Sequence, residues 1–377
     1  MISRRLFLSA AVPLWMLRAA GGKRVLVVVF QRGAADGLNI VVPHGESRYF
    51  ELRPMLAVPK AEVLDLDGFF GFHPSLKPLL PLWTNKQLAV VHAAGSPDPT
   101  RSHFDAQDYM EHGTPGVKST GDGWLNRALE SSAGGSPLRA VAVTPLLPRT
   151  LAGKIPAISI PNLRTFQVRD PEVLERYGDL GRETAEAMRM VRSAAAVNSA
   201  VNYPQGQLGN GLRQIAALIK ADAGMEVAFA ETGGWDHHVN EAPQFKGKLE
   251  DFGGALAAFA EDLGSRLSNV TVVTMSEFGR TARENGNRGT DHGHANVMFV
   301  LNGPLEGGKV SGRWPGLSAE ALYESRDLAM TTDFRAVLGR LVANPAAAFP
   351  GYRGGDNDLH AALAYGLDGG RSGMRAG

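Results

Sequence analysis

The sequence predicts an α/β fold: a large, mostly parallel central sheet with helices on both faces. Three observations carry this. Six short segments are continuous apolar runs rich in β-branched residues, the pattern of strands buried on both faces. The segments between them place apolar residues at helical spacing. The two kinds then alternate along the chain, the order of strand-helix-strand units and a parallel sheet.

The first run is "KRVLVVVF", residues 23–30. "LAVVHAA" (88–94) and "RAVAV" (139–143) follow, then "MEVAFA" (225–230), "VTVVTM" (270–275) and "VMFVL" (297–301). The stretch 181–200, rich in Ala, Met and Arg, reads as a helix, as does "GLRQIAALIKAD" before the fourth strand. Ahead of the fifth, residues 245–267 set Phe245, Leu249, Phe252, Leu256, Phe259 and Leu263 on one helical stripe. "TTDFRAVLGRLVA" (331–343) reads as a last helix with Thr332 as its N-cap.

Composition excludes several functions. The 377 residues are 44% hydrophobic and 20% charged, with a net charge of +1. That is globular composition with no basic footprint for nucleic acid. There is no cysteine. Disulfides and thiolate ligands are out, so any metal is held by oxygen and imidazole nitrogen. No G-x-x-x-x-G-K-[ST] and no G-x-G-x-x-G after a strand supports a nucleotide site.

At the N-terminus, Arg4 and Arg5 precede an apolar run from Leu6 to Leu17, too short to span a bilayer. Charge followed by a short apolar run is the plan of a signal peptide. The string from Ser3 to Leu8 resembles the twin-arginine export signal, which implies the twin-arginine machinery as a partner and a periplasmic or extracellular destination. The alternative is a basic amphipathic first helix. The expected organisation is a signal peptide over 1–21, one α/β domain over 22–365 and a flexible tail over 366–377. No other segment is long and apolar enough to span a membrane.

In open α/β sheets, ligands bind beyond the carboxyl ends of the strands. Four strand-end loops concentrate the chemistry. They are "QRGAADGLN" with Asp36, "SPDPTRSHFDAQDYMEHG" with Ser102 and His103, "ETGGWDHHVN", and "SEFGRTARENGNRGTDHGHAN". Six of the ten histidines lie in them: His103, His112, His237, His238, His292 and His294. In an extended segment residues i and i+2 point the same way. Asp236 with His238, and His292 with His294, each form such a pair. With Asp36, Glu277 and Asp291 they make a candidate set for one or two divalent ions, and mixed carboxylate and imidazole donors suit Zn, Mn or Fe better than Ca. Two metals roughly 3.5–4 Å apart can clamp the attacking and leaving oxygens of an ester.

Each residue has a plainer role open to it. Asp36 beside Gly37 can close a turn. Glu277 can pair with Arg280. His237 reads better as packed on Trp235 or facing solvent than as a ligand. Ser102 is either the N-cap of a helix, with Asp105 completing a near capping box, or a nucleophile at a helix N-terminus that attracts phosphate or sulfate. Arg101, with Arg280 or Arg283, can clamp anionic oxygens.

Several strings together resemble a known family: "RRLFLSAA", "QRGAADGLNIVVPH", "FHPSLKPLLPLW", "RSHFDAQDYME", "TGGWDHHVN", "SEFGRTARENGNRGTDHGHAN" and "TTDFRAVLGRLV". It is the exported bacterial family called domain of unknown function 1501, similar to a branch of the alkaline phosphatase and sulfatase superfamily. The resemblance covers nearly the whole chain. It implies an alkaline-phosphatase-like sheet sandwiched by helices, with metal ligands and a Ser or Thr nucleophile at its carboxyl edge. By position it implies Asp36, Asp236, His238 and His292 or His294 as ligands and Ser102 as the nucleophile. Glu277 departs from the pattern, standing where many relatives carry an Asp-His pair.

The expected function is an exported metal-dependent hydrolase acting on a small anionic phosphate or sulfate ester. The rival is a non-catalytic exported binding or assembly protein that keeps one ion. The family's genes often neighbour those of another exported family, a possible partner. A metal-dependent mutase or phosphotransferase is a third option.

Overall fold

A computed structural model describes residues 24–167 and 178–354. The expected signal peptide and C-terminal tail lie outside the described residues. Twelve strands are described. In chain order they are β1 (Val25–Gln31), β2 (Val41–Val42), β3 (Leu64–Asp65), β4 (Gly71–Phe72), β5 (Leu88–Gly95), β6 (Ala140–Ala142), β7 (Ile158–Ser159), β8 (Val227–Thr232), β9 (Val270–Ser276), β10 (Asn296–Leu301), β11 (Val310–Ser311) and β12 (Thr332–Asp333).

Nine of these form one sheet in the order β11-β5-β10-β9-β1-β8-β6-β7, with β12 also pairing β5. Every pairing is parallel except the two made by β10. All six expected strands are present in it. β1 lies at the centre between β8 and β9, and all seven of its residues are buried. Its period-two alternation divides the core. Val25, Val27 and Val29 enter one apolar cluster with the stripe Phe245, Leu249, Phe252, Leu256, Phe259 and Leu263. Leu26, Val28 and Phe30 enter another with Leu125, Leu129, Phe334 and Leu338. A strand that must be apolar on both faces reads as an unbroken run, and helices cover both.

Two helices differ from expectation. The long one runs Glu241–Leu263, starting a turn early, and ends at Gly264, whose φ of +51° turns the chain into a 3-10 segment, Gly264–Asn269. The last one is Phe334–Gly339, capped by Asp333, whose carboxylate accepts from the Arg335 amide. Thr332 is instead drawn into the β12 ladder opposite Ala94.

Register sets the functional edge. Gln31 pairs with Thr232 on one side and Ser276 on the other, so β1, β8 and β9 end level. Because β10 runs antiparallel and enters opposite Ala94 near the end of β5, residues 277–295 leave and re-enter the sheet at one edge. Residues from four separated stretches are thereby gathered there.

Candidate metal centre

Three imidazoles and one carboxylate meet at this edge. His103 is the first residue of the helix His103–His112, in the connection after β5. Asp236 and His238 follow β8, and His292 belongs to the β9–β10 connection. His103 Nε2 lies 3.1 Å from His292 Nε2 and 3.4 Å from Asp236 Oδ2. His292 Nε2 is 3.2 Å from Asp236 Oδ1. His238 Nε2 joins at 3.0 Å from His292 Nε2 and 2.9 Å from Asp236 Oδ1. His103, Asp236 and His292 form a candidate metal site, with ligand atoms all within 4.8 Å of one another.

The other nitrogen of each ring decides what the cluster is. His103 Nδ1 faces Glu277 Oε1 at 2.8 Å, His238 Nδ1 faces Asp291 Oδ1 at 2.9 Å, and His292 Nδ1 faces the Arg101 carbonyl at 2.9 Å. A carbonyl can only accept, and so can an ionised carboxylate. Each Nδ1 therefore carries the proton, and in the neutral rings each Nε2 presents a lone pair. Lone pairs 3.0–3.1 Å apart repel unless a cation or proton sits among them. Tetrahedral zinc with Zn–N of about 2.0–2.1 Å has ligand–ligand edges of about 3.3–3.4 Å, close to the spacings here. Carboxylate or carbonyl behind a ligand imidazole is the usual support of a metal-bound histidine.

The surroundings hold these groups in place. Glu277 is buried, which pushes its carboxyl up, but His103, Gln107, its own amide and the Gly33 amide outweigh burial and hold it below the ordinary range. Burial likewise pushes Asp236 up, and the Arg280 guanidinium, 2.5 Å away, brings it down. Arg280 is itself fixed by Thr290. Glu277 raises His103, whereas burial lowers His292. Gly33 sits at φ +114°, and a Cβ there would stand 2.9 Å from the Asp236 amide nitrogen. Only glycine lets β1's exit turn lie against this loop. A cavity of about 310 Å³ opens beside Asp291, lined also by Arg48, Arg283, Arg326 and Leu322.

The remaining expected residues stand elsewhere. Asp36 is buried, and both its oxygens are taken by Arg53, at 2.5 and 2.9 Å. The pair stands 17 positions apart, so no local pattern announces it. Glu277 and Asp291 support histidines from behind. His294 turns to the Ser96 carbonyl at 3.0 Å and packs at a tilt against Tyr323. Arg101 offers its carbonyl to His292, while its guanidinium pairs with Asp327 and Glu324. His237 is buried against the edge of Phe245. Ser102 is exposed at the N-cap, and its side chain makes no capping bond. His103 was not among the expected ligands. Its signal was its place among the loop histidines, next to Ser102.

Residues 68–348 match the model of a family described as "Protein of unknown function (DUF1501)". The chain belongs to this family. No curated protein matches it. Among solved structures, the chain is similar to the C-terminal periplasmic domain of EcEptC from Escherichia coli in complex with Zn, at 10% identity and TM-score 0.37, over 74% of this chain and 72% of that one. It is also similar to the PsFucS1 sulfatase from Pseudoalteromonas sp., at 14% identity and TM-score 0.37, over 77% and 64%. A third is the alkaline phosphatase from the Antarctic bacterium TAB5, at 11% identity and TM-score 0.33, over 74% and 91%. At these scores the reading of the DUF1501 site rests on its own geometry.

Proposed function

We propose that this DUF1501 protein is an exported, metal-dependent hydrolase of phosphate or sulfate esters. The observation that carries it is the convergence of three Nε2 lone pairs and the Asp236 carboxylate, each Nδ1 being tied to an acceptor. His103, Asp236 and His292 would hold one divalent ion, Zn, Mn or Fe, with His238 as a fourth donor. Such an ion would supply Lewis-acid polarisation of an ester oxygen. Arg280 keeps Asp236 ionised and oriented. Ser102, its hydroxyl free of capping, stands one residue from His103 as the candidate nucleophile. The helix behind it has no side-chain cap, which leaves its first amides for an anionic oxygen. Export rests on Arg4, Arg5 and the apolar run after them. Among the described residues no helix is long and apolar enough to cross a membrane.

A second reading has an observation in its favour. Arg53 occupies Asp36, and Glu277 faces the back of His103, so the described residues assemble donors for one ion, not two. A binding or assembly protein with a single ion needs no more. Metal analysis of protein purified without chelator, then assay on aryl phosphate and aryl sulfate esters, separates the two. Bound metal with turnover lost in Ser102→Ala and His292→Ala upholds the hydrolase. Stoichiometric metal with no turnover on any ester upholds the binding protein, and absence of metal ends both.

A further inference from the structure

Seven large hydrophobic side chains are exposed among the described residues: Met55, Phe104, Val117, Leu146, Leu147, Leu180 and Val239. Singly, such residues are ordinary. Their distribution is not. Phe104, 87% exposed, follows His103, and Val239 follows His238. Leu146, 81% exposed, and Leu147 lie in the connection leaving the carboxyl end of β6. That connection is tied to the His103–His112 helix through Thr150 and Glu111. Val117 precedes Lys118, which pairs with Asp105 in that helix's first turn. The Met55 amide donates to Glu284 of the β9–β10 connection. Six of the seven therefore belong to, or bond to, the loops at the metal centre's edge, whereas Leu180 lies in the helix Gly178–Ala195, outside those loops. The same edge carries Arg283 and Arg288, both exposed and neither in an ion pair among the described residues.

We propose that this edge docks on a lipid surface and that the ester taken at the cluster is an anionic amphiphile. This rests on the hydrolase reading above. Apolar side chains flanking the histidines suit a hydrocarbon part held close to the ester, and two unpaired cations among them complement anionic headgroups. A free, fully water-soluble ester would make no use of Phe104 or Leu146. For a phosphate monoester, the bond from phosphorus to the alcohol oxygen breaks. Water supplies the new oxygen on phosphorus and the proton on the alcohol, and no redox partner is required.

The test is flotation of the full chain with vesicles of phosphatidylcholine alone and of phosphatidylcholine with phosphatidic acid, with phosphate release measured on the latter. Wild type and Leu180→Ser should float with the phosphatidic acid vesicles. The double variant Phe104→Ser/Leu146→Ser, with an unchanged unfolding midpoint, should lose roughly tenfold in partitioning. It should also lose release from vesicles relative to release from an aryl phosphate. All three chains share the N-terminal apolar run, so flotation that persists in the double variant overturns the proposal, as does failure of wild type to float. Rim-dependent flotation with no turnover of any ester upholds the docking surface and removes the hydrolase reading alone. Aryl ester turnover without flotation does the reverse.

Discussion

Glu277→Gln isolates the support of one ligand with little change of shape. The Glu277 carboxylate takes the Gly33 amide at 2.8 Å, His103 Nδ1 at 2.8 Å and the Gln107 amide at 2.9 Å on Oε1, and the Ser276 hydroxyl at 3.1 Å on Oε2. A glutamine can keep its oxygen on the first three and set its NH2 toward Ser276, whose oxygen can accept. The fold then survives, and what goes is the negative charge behind His103. That charge makes Nε2 a stronger donor to a cation. Loss of such a partner costs roughly 10–100-fold in metal affinity, or about 1.4–2.7 kcal/mol. Competition between the protein and a chromophoric chelator for Zn reads this directly, with His103→Ala as the reference for complete loss of the ligand. Zn affinity within about twofold of wild type in both variants would refute the assignment of His103 to the centre.

Three further outcomes follow from packing. Arg53→Met leaves Asp36 buried without its cation, and chemical denaturation should show a loss of about 3–5 kcal/mol. Gly33→Ala forces a Cβ against the Asp236 backbone at a φ of +114°. It should cost about 1–3 kcal/mol in the same assay and weaken Zn binding as well. His92 is buried, and burial pushes its pKa down to about 4. Its Nε2 donates to the Val41 carbonyl and its Nδ1 accepts from the Ala93 amide, so protonation breaks a bond. Between the unfolded value of about 6.5 and about 4, the unfolded chain binds more protons than the folded one. Stability therefore falls as pH falls through that window, by at most about 1.4 kcal/mol per pH unit from this group. Unfolding midpoints measured across it should show a shallower slope in His92→Gln.

The strands were legible because burial on both faces leaves a predominantly apolar run, broken only by a few buried polar residues such as His92, Thr271 and Thr274. Direction was not, since "VMFVL" reads alike parallel or antiparallel, and β10 proved to be the one reversed strand. The two-residue strands β2, β3 and β4 are too short to show a period. At the site, the i and i+2 argument places Asp236 and His238 together, and they meet at 2.9 Å. The same argument fails for His292 and His294. His292 is held in a bridge with Arg280, and the chain bends at His294, whose ring goes to the Ser96 carbonyl. Asp36 resembled a ligand because its partner Arg53 is visible only in three dimensions. His103 was hidden for the opposite reason, being the first residue of a helix, where a histidine has no expected role.

Since the four donors come from stretches as far apart as 189 positions, a bound cation is also a cross-link. It closes one loop between His103 and His292 and a second of 56 residues between Asp236 and His292. Tying such distant parts together is possible only after the sheet has set its register, so loading cannot run ahead of folding. Because only the folded chain presents all four donors together, binding stabilises that state by mass action. An occupied centre would thus certify a finished molecule.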